Sequence, residues 1–268
     1  MWTPAPVVVA GPCVLEDDTL NLRVAEAVAE VGARLGVRML FKGSFDKANR
    51  ARRGAPRGPG LHEGLAMLAR IRSEVGLPVV TDIHEVAQVA AVAAVADVIQ
   101  IPAFLCRQTD LVEAAGRAGR AVNVKKGQWM APEEMAGPVE KARAAGAAAV
   151  AVTERGTAFG YGDLVVDMRA FVRVREAAGC PVLYDATHSV QRPGRGPGGA
   201  SGGDRAMVPL LLRAAAAAGA DGFYLETHPS PAGAPSDAAT MWPLDELSAL
   251  LEPALEIWHA GQEGRIGV

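Results

Sequence analysis

"YDATHSVQRPG", residues 184–194, is the stretch where an apolar run turns abruptly polar. It completes "PVLYDAT" (181–187), a run whose β-branched and apolar residues are typical of a buried strand. Asp185, Thr187 and His188 stand where that strand ends, and proline, glycine and arginine follow. Such side chains at the end of a strand indicate that its carboxyl end forms part of a functional surface.

Seven other runs repeat this pattern and alternate with helix-like segments. The predicted strands are "PVVVAG" (6–11), "RMLFKGS" (38–44), "PVVTDIH" (78–84), "DVIQIPA" (97–103), "AVNVKKG" (121–127), "AVAVTER" (149–155), "PVLYDAT" (181–187) and "GFYLETH" (222–228). Segments between them, such as 61–76 and 108–119, show apolar spacings of three and four and often close on glycine. Strands that alternate with helices predict right-handed parallel βαβ units.

The number of units decides between an open sheet and a closed barrel. Eight strands and eight helices, the last at 243–260, predict an α/β fold of the (β/α)₈ barrel type. No GxGxxG motif follows the first strand, which argues against a dinucleotide-binding sheet. The Gly/Pro/Arg-rich runs at 52–60 and 192–203 each follow a strand, so we interpret them as βα loops rather than linkers. We therefore predict one catalytic domain over residues 1–268.

Composition excludes several classes of function. Half of the 268 residues are hydrophobic, and the net charge of −3 offers no general attraction to nucleic acid or acidic membranes. We expect neither a signal peptide nor a transmembrane segment, because the chain lacks long apolar runs. Three widely spaced cysteines do not form a disulfide framework. These features predict a cytoplasmic protein with no nucleic-acid or membrane partner.

Polar side chains cluster at the carboxyl ends of nearly all the predicted strands. In a (β/α)₈ barrel those ends form the active-site face. From strand 1 to strand 8 the side chains are Cys13, Lys42, Ser44, Lys47, Asp82, His84, Gln100, Lys125, Lys126, Gln128, Glu154, Arg155, Asp185, His188, Glu226 and His228. Such a ring is hard to explain by solubility alone, so we predict an active site there.

One half of this ring has the chemistry of a metal site. Strands 7, 8 and 1 adjoin in a closed barrel and bring Cys13, His188 and Glu226 together, and the next loop adds Asp237. Thiolate, imidazole and carboxylate ligands favour a divalent transition metal over Mg²⁺ or Ca²⁺. Alternatively, Cys13 is a small buried apolar residue and His188 a hydrogen-bonded loop residue. Residues alone also leave open whether Glu226 or His228 points inward.

The other half of the ring is cationic. Lys42, Lys47, Lys125 and Arg155 suit phosphate or carboxylate groups. The alternative is that these side chains extend over the barrel rim into solvent. Since neighbouring strand residues point to opposite faces, at most one of Lys125 and Lys126 faces the centre.

Nine motifs then carry a resemblance to a known family. They are "GPCVLE" (11–16), "FKGSFDKANR" (41–50), "RGPGLHEGL" (57–65), "TDIHE" (81–85), "IQIPAFLCRQTDL" (99–111), "NVKKGQWMAPEEM" (123–135), "TERGTAFGYGDLVVDMR" (153–169), "DATHSVQRPG" (185–194) and "LETHPSPAGAPSDAAT" (225–240). In this order, from about residue 6 to residue 258, the chain resembles 3-deoxy-D-manno-octulosonate 8-phosphate synthase, also called 2-dehydro-3-deoxyphosphooctonate aldolase. The resemblance implies a homotetrameric (β/α)₈ barrel, a transferase that condenses phosphoenolpyruvate with D-arabinose 5-phosphate in lipopolysaccharide biosynthesis.

The resemblance also implies roles for individual residues. The implied phosphoenolpyruvate contacts are Lys125, Arg155, Ser44, Gln100, Ala103 and Lys42, and the implied sugar-phosphate contacts are Lys47, Asn49, Arg50 and Asp82. Lys47, Asn49, Asp82 and His188 are the implied catalytic residues, while Arg107 lines the substrate path from a neighbouring subunit. The family has a metal-dependent branch with cysteine at the position of Cys13 and a metal-independent branch with asparagine there, so Cys13, His188, Glu226 and Asp237 would hold Zn, Fe, Mn or Co. This choice places Glu226, rather than His228, among the ligands.

The chain departs from the family pattern in two places. Ala51 and Arg52 stand where the family has two serines, and we expect Arg52 or Arg53 to replace the lost hydroxyl contact. Ala239 and Met241 remove polar groups from the loop that carries Asp237.

Two other functions compete with this interpretation. One is 3-deoxy-D-arabino-heptulosonate 7-phosphate synthase, which accepts erythrose 4-phosphate and usually has a KPRTS-type segment where this chain has "KANR". The other is a non-catalytic barrel that binds phosphorylated sugars. For the sugar site, we expect Lys47, Asn49 and Arg50 to lie across the mouth from the metal half.

Overall fold

The computed structural model describes residue 2, residues 6–50 and residues 53–263, and it contains the eight predicted barrel strands. They are β1 Val7–Gly11, β2 Arg38–Lys42, β3 Val79–Asp82, β4 Val98–Ile101, β5 Ala121–Lys125, β6 Ala149–Glu154, β7 Val182–Asp185 and β8 Gly222–His228. Six of the eight predicted runs continued one or two residues too far. Those extra residues follow the strands and begin the loops at the barrel mouth.

The eight strands close into a barrel. Each strand pairs in parallel with the next, and β8 pairs back with β1 from Val7↔Gly222 to Gly11↔Glu226. Glycine is needed at the last of these pairs, because a β-carbon on Gly11 would lie 2.1 Å from the Lys42 carbonyl oxygen. The predicted (β/α)₈ barrel is confirmed.

Eight α-helices surround the strands in the described part of the chain. They are α1 Asp18–Leu35, α2 Leu61–Glu74, α3 Val89–Val95, α4 Thr109–Arg117, α5 Ala136–Ala144, α6 Ala170–Ala178, α7 Val208–Ala217 and α8 Leu247–Glu263. The first shows how sequence sets the ends: Asp17 accepts a hydrogen bond from the Leu20 amide at 2.9 Å, and Gly36 ends the helix at φ 63°. None of the described helices is long and apolar enough to cross a membrane.

The final helix begins later than predicted. The pattern indicated 243–260, whereas α8 starts at Leu247 after a 3₁₀ turn over Leu244–Glu246. Pro243 has an extended backbone and leads into that turn, so the chain changes direction there before the helix can start.

Two apolar layers hold the barrel together. The larger lies between strands and helices, and the smaller fills the barrel interior around Val7, Val9, Leu40 and Tyr224. Trp2, ahead of β1, is only 4% exposed and belongs to the inner layer. Apolar side chains fill this inner layer, so the inward-facing polar side chains are concentrated at the carboxyl ends of the strands.

Long βα loops build the rim around that end. Thr157–Ala158 pairs antiparallel with Leu164–Val165, and Gln191–Arg192 pairs with Gly202–Gly203. The run at 192–203 is therefore a βα loop, as predicted, and two short antiparallel strands pair at its base.

Candidate active site

A cavity of about 750 Å³ opens at the carboxyl ends of the strands and collects most of the predicted site residues. Those lining it are Lys42, Lys47, Asn49, Arg50, Asp82, His84, Gln100, Ala103, Lys125, Gln128, Arg155, His188, Glu226 and Asp237. Ser44 and Cys13 are buried just behind its wall. The ring expected from the strand ends therefore surrounds one concave space, the usual form of a small-molecule site.

Cys13, Glu226 and Asp237 meet at one corner of the cavity, which we call the metal corner. The possible ligand atoms of these three residues all lie within 4.8 Å of one another. The Cys13 thiol donates to Asp237 Oδ2 at 3.0 Å. His188 completes the corner, with Nε2 at 3.3 Å from Glu226 Oε1 and 3.9 Å from Asp237 Oδ2.

The carboxylate of Glu226 is the clearest sign that this corner suits a cation. It is 1% exposed, and among the described residues none donates a hydrogen bond to either oxygen. His188 Nε2 at 3.3 Å and Lys47 Nζ at 4.0 Å lie near Oε1. A buried carboxylate without hydrogen bonds is costly, and a bound cation would offset that cost.

The other donors of the corner are oriented by neighbours. His188 Nδ1 lies 2.7 Å from Asp185 Oδ2, which leaves Nε2 facing the corner. Asp237 adopts φ 51° and accepts from Gln191 Nε2 at 2.6 Å through its other oxygen, Oδ1. Sulfur, imidazole and carboxylate donors held in this way fit a divalent transition metal.

Burial and nearby charges shift the pKa values of Cys13 and Asp237 in opposite directions. Burial raises the pKa of the Cys13 thiol well above its usual value, and Glu226 adds to the rise. Burial alone would also raise the pKa of Asp237, but His188 and Lys47 lower it to about 2. The carboxylate is therefore ready as a ligand, whereas the thiol needs a cation to become a thiolate.

The structure separates Glu226 from His228. Glu226 points into the corner, whereas His228 Nε2 lies 2.9 Å from Glu16 Oε1 and its Nδ1 accepts from the Ser230 amide at 2.9 Å. Both ring nitrogens of His228 therefore have partners within the protein.

A chain of hydrogen bonds crosses the floor of the cavity. Lys42 Nζ donates to Ser44 Oγ at 2.5 Å, and Ser44 donates to Asp82 Oδ2 at 2.6 Å. Gln100 Nε2 donates to the other oxygen of Asp82. Although burial opposes it, the charges of Lys42 and Lys47 hold the pKa of Asp82 below its usual range.

The chain continues through two residues that sequence reasoning missed. Asn123 donates to Gln100 Oε1 at 3.0 Å and accepts from Thr153 Oγ1 at 2.8 Å. We call the series Lys42, Ser44, Asp82, Gln100, Asn123 and Thr153 the floor network. The only available signal was a polar residue in the middle of an apolar strand, Asn123 in "AVNVK".

Two further buried cations, Lys125 and Arg155, line the cavity. Lys125 pairs with Asp185 and lies 3.3 Å from the centre of the Tyr224 ring, while Arg155 donates to Gln191 Oε1 at 2.7 Å. Each is 5% exposed, so the alternative in which they extend into solvent is wrong for this pair. Lys126 points to the outer face of the barrel, in agreement with strand alternation.

The expected position of Arg50 is wrong. Its guanidinium donates to Ser236 Oγ at 2.7 Å and to the Pro235 carbonyl at 3.0 Å, in the loop that carries Asp237. The physical reason is barrel closure: β2 and β8 both pair with β1, so the loops after β2 and β8 meet over it. Lys47 likewise lies beside Glu226 rather than across the mouth.

Departures from the family pattern fall in different environments. Ala51 and Arg52 lie outside the described residues, and Arg53 is exposed. Ala239 lines the cavity, whereas Met241 is buried. Arg107 is exposed and is not among the residues that line the cavity in its own chain.

Comparison with known proteins places the chain in a family. A model of the DAHP synthetase I family matches residues 4–260. A 2-dehydro-3-deoxyphosphooctonate aldolase of Nitratidesulfovibrio vulgaris (strain DP4) is 56% identical over 251 residues, covering 94% of this chain and 91% of the relative. The protein of that name from Acidithiobacillus ferrooxidans (strain ATCC 53993 / BNL-5-31) is 52% identical over 250 residues, covering 93% and 88%. The chain belongs to the 2-dehydro-3-deoxyphosphooctonate aldolase family.

Family membership confirms the resemblance drawn from the nine motifs and the prediction of an enzyme. The non-catalytic barrel has no support from these relatives. In this aldolase family member, the residues that sequence reasoning missed are mainly those behind the cavity wall, Asn123 and Thr153, and Gln191, which contacts both Arg155 and Asp237.

Proposed function

We propose that this chain condenses phosphoenolpyruvate with D-arabinose 5-phosphate and water, giving 3-deoxy-D-manno-octulosonate 8-phosphate and inorganic phosphate. Family membership supports the reaction class. The observation that carries the proposal is one cavity that joins buried cations to a set of metal-type donors. Such a cavity suits two phosphorylated substrates that must meet at one carbonyl group. The product would serve lipopolysaccharide biosynthesis.

Phosphoenolpyruvate belongs on the floor side of the cavity. Lys125 and Arg155 are buried, and their charges are only partly balanced by Asp185. Burial lowers the pKa of Arg155, which shows that its charge is costly there, and an anionic ligand would offset that cost. Ser44, Gln100 and Ala103, with Lys42 assisting, complete the proposed contacts.

Arabinose 5-phosphate belongs under the loop after β2. Arg50 and Asn49 line the outer cavity wall, and Lys47 and Asp82 lie deeper. Since Arg50 already donates to Ser236 and Pro235, the sugar phosphate would compete for a guanidinium that is held in place. The aldehyde end would then lie close to the metal corner.

The proposed resident cation is a divalent transition metal, Zn, Fe, Mn or Co. Cys13, His188, Glu226 and Asp237 would hold it, and the bare carboxylate of Glu226 supports this choice. When bound, such a cation supplies Lewis acidity to a water or to an aldehyde oxygen.

The protein's own residues hold the two substrates in place and stabilise the charge that develops between them. In the carbon–carbon step, C3 of phosphoenolpyruvate bonds to the aldehyde carbon; water adds to C2, and the C–O bond to phosphate then breaks. The buried cations and the floor network hold the two substrates in line, an effect that can reach roughly 7–11 kcal/mol. Cys13, Glu226 and Asp82 raise the pKa of Lys47 despite its burial, so its ammonium stays charged near the developing alkoxide. Asn49, Asp82 and His188 are the other proposed catalytic residues.

A direct turnover assay tests this proposal. Phosphoenolpyruvate is supplied with arabinose 5-phosphate or with erythrose 4-phosphate, and inorganic phosphate release and the sugar product are measured. We expect a clear preference for the five-carbon sugar. Preference for erythrose 4-phosphate would instead identify a heptulosonate 7-phosphate synthase, and absence of turnover with either sugar would contradict an enzyme of this class.

We further propose a cytoplasmic homotetramer. The three cysteines are free and buried, as expected in a reducing compartment. Arg107 lies outside its own cavity and is exposed, which suits a side chain supplied to a neighbouring subunit. Light scattering of the purified protein tests the tetramer, and Arg107→Ala should weaken substrate binding without changing the metal content.

A further inference from the structure

A buried ion pair lies on the outer side of the barrel wall, behind the phosphoenolpyruvate half of the cavity. Lys126 Nζ is 3.5 Å from Glu154 Oε2, and the two side chains are 0% and 2% exposed. Lys126 directly follows β5, and Glu154 is the last residue of β6. Because successive side chains alternate across a strand, this pair faces away from the cavity and toward the surrounding helices and loops.

The ammonium group of Lys126 connects two βα loops. It donates to the carbonyls of Gly127 at 3.2 Å and Met130 at 3.3 Å, in the loop after β5. It also donates to Thr157 Oγ1 at 3.2 Å, in the loop after β6. The carboxylate of Glu154 accepts from the Gly156 amide at 2.5 Å. Each charged group therefore fixes the backbone where a strand passes into its loop.

Each member of the pair is one peptide away from a cavity cation. Lys125 precedes Lys126, and Arg155 follows Glu154, and both of these neighbours face inward. The Lys126 amide donates to the Thr153 carbonyl at 2.9 Å, so the ladder between β5 and β6 continues up to the pair. A rotation of the backbone at Lys126 or Glu154 would swing the neighbouring cation away from its place in the cavity.

Stability alone gives little reason to bury two charges here. A buried ion pair is often no more stabilising than apolar side chains of similar volume, because desolvation offsets the attraction. Hydrogen bonds from a buried ammonium are directional, however, and they define one orientation of the backbone that carries it. Burial raises the pKa of Glu154 although Lys126 opposes the rise, so removing Lys126 alone would leave an acid that favours its protonated form.

We propose that Lys126 and Glu154 are positioning residues that hold Lys125 and Arg155 in the orientation that binds the carboxylate and phosphate of phosphoenolpyruvate. The inference rests on the proposed function for the identity of the ligand. It assigns no contact with substrate to either residue. The acceptor sugar should be little affected, since Arg50 and Asn49 are carried by the loop after β2 and not by β5 or β6.

The test uses a neutral pair in the full-length protein. Lys126→Met leaves a buried carboxylic acid, whereas the double variant Lys126→Met/Glu154→Gln removes both charges together with the three loop contacts that Lys126 makes. Melting temperature reports stability, and calorimetry with phosphoenolpyruvate alone reports its dissociation constant. We expect the double variant to regain stability relative to Lys126→Met, yet to bind phosphoenolpyruvate about tenfold more weakly than wild type. Its Michaelis constant for arabinose 5-phosphate should change by no more than about twofold.

A milder variant covers the case in which the double variant does not fold. Glu154→Gln keeps the size of the side chain and the three hydrogen bonds of Lys126. We expect it to weaken phosphoenolpyruvate binding about threefold, roughly the loss of a weak polar contact, with a smaller effect on the sugar. An unchanged dissociation constant for phosphoenolpyruvate in Glu154→Gln would then overturn the inference.

A matched control lies at the other end of the barrel. Arg175 NH2 is 2.9 Å from Asp221 Oδ2, a partly buried ion pair next to the start of β8. The neutral pair Arg175→Met/Asp221→Asn should lower the melting temperature while phosphoenolpyruvate affinity stays within about twofold. An equal loss of phosphoenolpyruvate affinity in this control would show a general loosening of the barrel and overturn the inference.

The wild-type protein separates this inference from the proposed function. If wild type binds phosphoenolpyruvate but prefers another acceptor sugar, the proposed function is wrong and the positioning role stands. If wild type performs the proposed reaction and the double variant binds phosphoenolpyruvate normally, only the inference is overturned. Wild type that fails to bind phosphoenolpyruvate contradicts both.

Discussion

The metal corner and the floor network border one cavity but differ in how far the protein satisfies its own polar groups. In the floor network every member from Lys42 to Thr153 has a hydrogen-bond partner within the series. In the metal corner the carboxylate of Glu226 is buried, and none of the described residues donates a hydrogen bond to it. The floor is therefore organised by the protein alone, whereas the corner leaves a buried carboxylate unsatisfied, and we propose that a cation binds it.

Among the changes that test this difference between the two regions, removal of the metal should have the largest effect on turnover. We expect a strong chelator to abolish turnover, and Mn²⁺, Co²⁺, Fe²⁺ or Zn²⁺ to restore part of it. The melting temperature should also fall on chelation, because a ligand that binds only the folded state stabilises it. Elemental analysis and calorimetry check both outcomes. Full turnover by protein shown to be metal-free would mean that the metal corner, like the floor network, works without a cation.

Cys13→Asn should have the next largest effect, because it replaces the thiol with the amide found in the metal-independent branch. We expect turnover to fall but not to disappear, with the remaining activity resistant to chelator. The polar groups missing at Ala239 and Met241 limit how well the altered corner works. Steady-state rates with and without chelator measure this, with Cys180→Ser as a control, since that buried thiol lies at the other end of β7. A folded but inactive Cys13→Asn that still binds both substrates contradicts the expectation.

Arg50→Ala and Arg155→Ala should each weaken the binding of a different substrate. Arg50 lies in the loop after β2 and is held by Ser236, whereas Arg155 directly follows β6 and is held by Gln191, so each variant should weaken a different substrate. Loss of one charge-assisted contact costs on the order of 1.5–3 kcal/mol, or roughly 10- to 150-fold. The Michaelis constant for arabinose 5-phosphate should rise by this factor in Arg50→Ala, and that for phosphoenolpyruvate in Arg155→Ala. Equal effects of either variant on both substrates would show that the halves are not separate.

Asn123→Ala should have the smallest effect on catalysis. Its main effect should be a lower free energy of unfolding. It leaves Gln100 Oε1 and Thr153 Oγ1 without the partner that Asn123 provides, at a cost of about 1–3 kcal/mol in the free energy of unfolding. Urea denaturation measures this loss. Ser73→Ala, which removes an exposed hydrogen bond to Arg70, is the control and should change the free energy by less than about 0.5 kcal/mol. A loss no larger than that of the control would show that the floor network does not stabilise the barrel.

Local sequence predicted the parts of the site that belong to strand ends. Asp82, Lys125 and Glu226 lie within or at the end of buried runs, and the period of two along a strand tells which neighbours face inward. The alternation rule was sufficient to send Lys125 and Lys126 to opposite faces. It could not show that the outward Lys126 meets Glu154, since that contact depends on how β5 and β6 align.

The sequence by itself determined the order of strands and helices, the polar ring and the family. These are local properties, set by hydrophobic period, by turn residues and by motifs that each lie in one continuous stretch. Only the tertiary structure decided that Arg50 lies against Ser236 and that Asn123 links Gln100 to Thr153. Both contacts join residues distant in the chain, and they exist because barrel closure brings β2 close to β8 and turns one face of each strand into a shared interior. No local pattern in the chain encodes that meeting.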